Sequence, residues 1–354
     1  MDHSKKKTYL YSIDALRVIA ILAVIVIHVS TKSMASTGLD ITIQPFSLFL
    51  NQAARFAVPL FFLISGFVLE LNNKKGLSFI EFFKKRASRI VIPFIFWSVV
   101  YALYANNFNA TSLFNKKFLD TLIFGTASYH LYFIPTLILF YIAFPFLHLL
   151  LPLLRKPVTL LLLYFIQGVL LYQDYYVKTL DTQFEVRIAL LSFSMFVTGM
   201  VASHYKEAIY EFVKKYLLIL VFSLVVLLAL IFTHVYAITL KNNSSRFIYN
   251  QYSPLNYAFT GVVASLLYFS LEKTQFLRKY FITLSKLSFF VFFIHVLIQY
   301  LVWDNAIEPL ISKYGKDFLV AFWFDPLLFG IIATISFTIA YFIHKIPWTP
   351  KLTG

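Results

Sequence analysis

Residues 9–30, YLYSIDALRVIAILAVIVIHVS, are apolar enough to cross a bilayer yet carry three ionisable side chains, Asp14, Arg17 and His28. A spanning helix takes ~20 mostly apolar residues. A charge near the bilayer interior is expensive, so such groups face a protein interior or a water-filled cavity. At ~100° per residue, Arg17 and His28 fall within ~20° of each other, and Asp14 lies ~40° from His28. The rise of ~16 Å from Arg17 to His28 makes the stripe a line along the membrane normal. The remaining Ile, Val, Leu and Ala suit lipid or packing. This helix is expected to form one wall of an internal reaction path, with the rest of the chain arranged around it.

The 354 residues are 60% hydrophobic and 13% charged, with 41 Phe and a mean hydropathy of +0.76. That composition predicts an all-α, polytopic integral membrane bundle in a single domain over 1–354. Apolar runs predict about ten spans, at 9–30, 54–71, 88–105, 131–152, 157–173, 187–204, 216–238, 254–271, 283–303 and 318–343. The DHSKKK start runs into the first span without a small-residue cleavage site, so that helix is expected to be retained. With both termini in the cytoplasm, roughly two thirds of the Lys and Arg residues fall on inner segments, Lys5–Lys7, Lys74, Lys75 and Lys351 among them. The net charge of +15 is then a topology signal and implies no nucleic-acid partner. Membrane lipids are the expected surroundings. The absence of cysteine excludes disulfides, thiolate metal sites and a Cys nucleophile, and no metal is expected. No soluble catalytic domain is expected after the tenth span.

His28 can act as general base or accept an acyl group; the alternative is an interfacial histidine bonded to a loop. Asp14 and Arg17, spaced i, i+3, form either a structural ion pair or a ligand-facing pair. Lys84-Lys85-Arg86-Ala87-Ser88-Arg89 precedes the third span. Positive-inside anchoring explains its lysines, whereas Arg86 and Arg89 as helix neighbours would offer two planar donors to one phosphate cluster. Ser65-Gly66-Phe67 interrupts the second span, allowing close helix approach or backbone contact with a ligand. His130 opens the fourth span, as an interfacial cap or facing an extracytoplasmic substrate. His295 lies inside the ninth, as a satisfied core residue or a second active-site histidine. Asp325-Pro326 reads as N-cap and first helical residue, and Asp325 could instead orient a histidine. The outer loops 31–53, 106–130, 174–186 and 239–253 are rich in Asn, Ser, Thr, Gln and Tyr. They could receive a glycan or serve as solvated linkers.

Together, IDALRVIAILAVIVIH, FFLISGFVL, the Arg-x-x-Arg at 86–89, HLYFIPTLILFY at 130–141 and SKLSFFVFFIHVLI at 285–298 resemble the membrane acyltransferase-3 family. The resemblance implies transfer of an acyl group, acetyl or succinyl, from cytoplasmic acyl-coenzyme A to a hydroxyl of a cell-envelope glycan at a bacterial inner membrane. It casts Arg17 and His28 as the essential first-span pair, Ser65, Gly66 and Phe67 as the SGF motif, Arg86 and Arg89 as the cytoplasmic arginine pair, and His130 and His295 as histidines of later motifs. Within the family, the span number and outer loops look like the biofilm-polysaccharide branch, the intercellular-adhesion C proteins. That branch is described either as an O-succinyltransferase or as an exporter of poly-N-acetylglucosamine, which leaves export without chemistry as the alternative. A polysaccharide synthase complex is the implied partner. No counterpart of the larger members' C-terminal SGNH domain is expected.

Overall fold

A computed structural model describes residues 10–37, 44–73, 79–114, 116–174, 184–240, 251–274 and 276–346. Every regular element among them is helical, because a backbone in lipid must satisfy its hydrogen bonds internally. Helices α1 (Tyr11–Thr37), α2 (Pro45–Ala54) and α3 (Ala57–Asn73) are followed by α4 (Phe79–Arg86), which passes through a π-helical turn at Ala87–Val91 into α5 (Ile92–Ala105). Then come α6 (Lys116–Phe124), α7 (Phe133–Leu149), α8 (Leu151–Leu154) and α9 (Pro157–Tyr172). Next are α10 (Phe184–Ala202), α11 (Lys206–Lys215) and α12 (Leu217–Leu240). The last four are α13 (Pro254–Lys273), α14 (Arg278–Val302), α15 (Glu308–Tyr314) and α16 (Phe324–His344).

Helix α1 is the hub. Ala15, Ala20, Ile21 and Ile25 on it are fully buried, and it packs against α2, α3, α13, α14 and α16. By contrast, α9 and α12 expose Leu161, Phe165, Leu218 and Phe222, an apolar outer surface that only a lipid environment makes favourable. The tightest crossing joins α3 to α10. A Cβ on Gly66 would run into the Phe196 carbonyl oxygen, and one on Gly199 into that of Leu63. Two glycines facing opposite backbones let these helices meet without intervening side chains.

Each of the ten expected spans overlies a helix, and the chain is an all-α polytopic membrane protein. Among the described residues, seven helical stretches are long and apolar enough to cross a membrane alone, or eight if α10 and α11, bent by 94°, form one span. Helices α7 and α9 are shorter, at 17 and 16 residues. The expected span 131–152 is broken at Leu150, where α8 starts with proline in its first turn. The expected span 318–343 also begins late, because residues 317–320 form a 3₁₀ turn and α16 starts at Phe324. The loop expected at 31–53 is largely helical, since α1 continues to Thr37 and α2 opens at Pro45. Lys5–Lys7, Lys74, Lys75 and Lys351 lie outside the described residues, as does the side chain of Lys85.

Candidate active site

Near the N-terminal end of α1 the bundle forms a partly open chamber of about 420 Å³. Asp14 and Arg17 border it from α1, Ser65 from α3, Arg86 and Arg89 from the α4–α5 junction, and Lys286 from α14. The π-helical turn between α4 and α5 brings both arginines to this one cavity. Cation–π contacts set the Arg86 guanidinium over the rings of Phe82 and Tyr141, at 5.7 and 5.4 Å from their centroids. Arg17 contacts Asp14 at 3.4 Å, a long ion pair. The Asp14 carboxylate also accepts a 2.8 Å hydrogen bond from the Ser285 hydroxyl. Among the described residues that line it, three guanidiniums and an ammonium face one carboxylate, a cationic lining, and planar guanidiniums match phosphate oxygens in pairs.

At the other end of the α1 stripe, His28 points into the bundle, not toward lipid. Its ring stacks on His295 with centroids 5.3 Å apart, and the Tyr129 ring lies 4.9 Å away. His130 lies 6.3 Å from His28 and 5.2 Å from His295. Helices α1 and α14 and the turn before α7, far apart in sequence, thus bring three imidazoles together. The His295 Nδ1–H donates to the Val291 carbonyl at 3.0 Å, which leaves Nε2 as the unprotonated, accepting nitrogen. His130 uses Nδ1 on the Ser128 hydroxyl at 3.1 Å. The Nε2 atoms of His130 and His295 are buried and make no hydrogen bond of normal geometry. Tyr101 braces the cluster: its hydroxyl donates to the Phe293 carbonyl and accepts from the Leu297 amide, while its ring sits 5.2 Å from His130.

The backbone beside His28 is pinned too. The Gln299 amide donates to the His28 carbonyl at 2.9 Å. The Asn51 side-chain nitrogen donates to the Ile27 carbonyl and to the hydroxyls of Ser30 and Thr31, and Arg55 donates twice to the Asn51 side-chain oxygen Oδ1. This polar collar holds the last turns of α1 in register.

A small cavity of about 50 Å³ touches both His28 and His130. Phe61, Phe133 and Phe292 line this cavity and the cationic chamber alike. Their rings touch in series, Phe61 to Phe133 at 5.8 Å and Phe133 to Phe292 at 5.4 Å. The imidazoles and the arginines are therefore separated by one aromatic septum.

The remaining expected residues divide. Ser65 faces the chamber, whereas Gly66 faces the α10 backbone and serves packing. Asp325 is not an N-cap: Trp323 holds that position and Asp325 lies in the first turn of α16, because the chain enters the helix directly from the preceding turn. Its carboxylate is buried, lies near Ser33 and Ser47, makes no hydrogen bond of normal geometry, and borders neither cavity. Sequence reasoning missed the three septum phenylalanines, Tyr101, Tyr129 and Glu70. The Glu70 carboxylate is only 1% exposed and is gripped by His148 Nδ1 at 2.7 Å and His204 Nε2 at 3.0 Å, tying together α3, α7 and the turn after α10. An acid inside the apolar FVLELNN run was its available signal. Among the described residues, no group of three or more His, Cys, Asp or Glu is placed to hold a metal ion.

The acyltransferase domain family, acyltransferase 3, matches residues 10–345. No curated protein and no solved structure matches the chain. An apolar helical bundle that sets a histidine cluster beside a cationic chamber, matched over nearly its whole length, belongs to the acyltransferase-3 family of membrane acyltransferases.

Proposed function

We propose that the chain moves an acetyl or succinyl group from acyl-coenzyme A to a hydroxyl of a cell-envelope polysaccharide. The observation that carries this reading is the shared septum: a phosphate-suited chamber and a histidine cavity meet at Phe61, Phe133 and Phe292. Arg86 and Arg89 hold the donor's phosphates, with Arg17 beside the arm that carries the thioester. The septum parts to admit that arm. His28 takes the proton of the attacking hydroxyl. The carbonyl carbon gains the new C–O bond and loses its C–S bond, and the imidazole returns the proton to the departing thiolate. Ester and free thiol leave, and the histidine is regenerated. General base catalysis supplies about 10²–10⁴-fold, and orientation of the two substrates supplies much of the remainder.

In this reading the N-terminal end of α1 faces the cytoplasm of a bacterial cell, both termini lie there, and the acceptor arrives from the opposite face. A neighbouring polysaccharide synthase would supply it. The test is the ester content of surface polysaccharide from cells with the gene, without it, and with His28→Ala. The reading expects esters only in the first. Equal ester content in all three removes it. Loss of the polysaccharide itself from the surface, with its esters intact inside the cell, indicates export instead.

A further inference from the structure

Helix α7 carries a weak point beside the cationic chamber. Pro145 lies inside the helix and has no N–H, so the Tyr141 carbonyl loses its intrahelical donor. Tyr141, Phe144 and His148 are spaced i, i+3, i+7 and share one face of α7. That face carries the platform on which Arg86 rests. The guanidinium lies over Tyr141 itself and over Phe82 of α4. The Phe82 ring stacks on Phe144, with centroids 5.5 Å apart and planes inclined by 24°, and Phe144 lies 5.9 Å from the His148 ring. Past the proline, His148 is fastened from outside the helix. Its Nδ1–H donates to one oxygen of the Glu70 carboxylate at 2.7 Å, and His204 Nε2–H donates to the other at 3.0 Å. Glu70 directly follows Val68 and Leu69, which line the chamber.

We infer that Glu70 is a positioning residue for Arg86: through His148 and Phe144 it sets the aromatic platform that aims the guanidinium into the chamber. The inference rests on the acyltransferase reading, in which Arg86 holds a phosphate of the donor, and deepens it. Fastening three helices together needs no buried charge. A carboxylate that is 1% exposed is costly to desolvate, and apolar side chains of similar volume often stabilise a core as well or better. What two short hydrogen bonds add is direction, because a fully satisfied polar contact holds one arrangement where apolar packing allows several. Here the direction is imposed on the turn of α7 that Pro145 has loosened. The contact also ties α7 to the two residues before Glu70 that wall the chamber, so platform and wall are set by one side chain.

The test titrates the full chain, purified in detergent, with coenzyme A. Wild type is compared with Glu70→Leu, Glu70→Gln, Arg86→Ala and the double variant Glu70→Leu with Arg86→Ala. Leucine fills similar space and removes both bonds. The two imidazoles it releases are 24% and 20% exposed and can turn to water. Glutamine keeps both contacts, its oxygen accepting from one imidazole and its nitrogen donating to the other in the second tautomer. The expected result is about a tenfold loss of affinity in Glu70→Leu, recovery of most of that loss in Glu70→Gln, and no further loss when Glu70→Leu is added to Arg86→Ala. Unchanged affinity in Glu70→Leu overturns the inference. So does a loss in the double variant equal to the product of the two single losses, which would mean that the clamp acts on the fold and not through Arg86. Both outcomes leave the acyltransferase reading intact. If Glu70→Leu does not accumulate as folded protein, Glu70→Leu with His148→Leu removes both partners of the buried contact and is measured in its place, with the same expected and overturning results. A wild-type chain that does not bind coenzyme A removes the reading and the inference together.

Discussion

The imidazoles of His28 and His295 stack with centroids 5.3 Å apart and planes inclined by 28°. One comes from α1 and the other from α14, 267 positions along the chain. Because the His295 Nδ1–H is committed to the Val291 carbonyl, its ring is fixed and the partner ring is held against it. In the reaction proposed here, a fixed stack of this kind would position His28 at little reorganisation cost.

Replacing His28 by alanine is expected to lower acyl transfer by about 10²–10⁴-fold, the range for a lost general base. His295→Ala is expected to cost about 10²-fold through misplacement of His28. His295→Phe separates two roles, since it keeps a ring to stack on but loses Nε2. Transfer measured as polysaccharide ester should recover in His295→Phe if stacking is the contribution. It should stay low if the orphaned nitrogen contacts a reactant.

Arg86 and Arg89 should act on the donor alone. Alanine at either position removes a planar donor from the chamber, and a lost hydrogen bond to a charged group is worth about 1.5–3 kcal/mol. Coenzyme A affinity of the purified protein should therefore fall about 10–100-fold. Lysine at either position keeps the charge but loses the paired geometry, and should recover only part of the affinity. Ester formation at saturating donor should change little. A fall in that saturated rate would instead put the arginines beside the reacting atoms.

The α3–α10 crossing predicts a stability effect unconnected with chemistry. Gly66→Ala and Gly199→Ala each drive a methyl into backbone carbonyl on the opposite helix. Backbone cannot move aside as a flexible side chain can, so each change should destabilise by at least the ~1–3 kcal/mol typical of overpacking. Thermal unfolding in detergent should show both variants melting earlier. Any fraction that stays folded should bind coenzyme A normally, because neither glycine borders the chamber.

What the sequence made visible was what one helix or one short segment encodes. The stripe of Asp14, Arg17 and His28 follows from helical periodicity alone, and the arginine pair at 86–89 from its spacing. The apolar runs located the helices because lipid leaves the backbone no alternative. The meeting of His28, His130 and His295 is a tertiary event, and each histidine on its own reads equally well as a packed or capping residue. The Glu70 clamp shows the same limit: the acid stands out in its span, but its partners His148 and His204 lie 78 and 134 positions away. The septum was invisible for another reason. The chain has 41 Phe, and nothing local distinguishes residues 61, 133 and 292 from the others. Asp325 misled because Asp-Pro before an apolar run is a common helix start, whereas here the helix had already begun.

The septum carries the last prediction. Phe61 is only partly buried and lines both cavities, so Phe61→Ala should shorten the barrier while disturbing the core less than a change at fully packed Phe62. Truncating a packed phenylalanine costs about 3–5 kcal/mol, and a side chain bordering open space should cost less. With the barrier thinned, water can reach a donor thioester that the closed site excludes. Hydrolysis of acetyl-coenzyme A by purified Phe61→Ala, measured as released thiol without acceptor, should rise several-fold above wild type. The same opening leaves room for bulkier acyl groups, so the variant should also cleave longer-chain thioesters that wild type leaves intact. Introducing His28→Ala into the Phe61→Ala background should abolish the gain, because the barrier only matters if it stands between donor and imidazole. A Phe61→Ala protein that releases thiol no faster than wild type would show that the donor reaches His28 by another route.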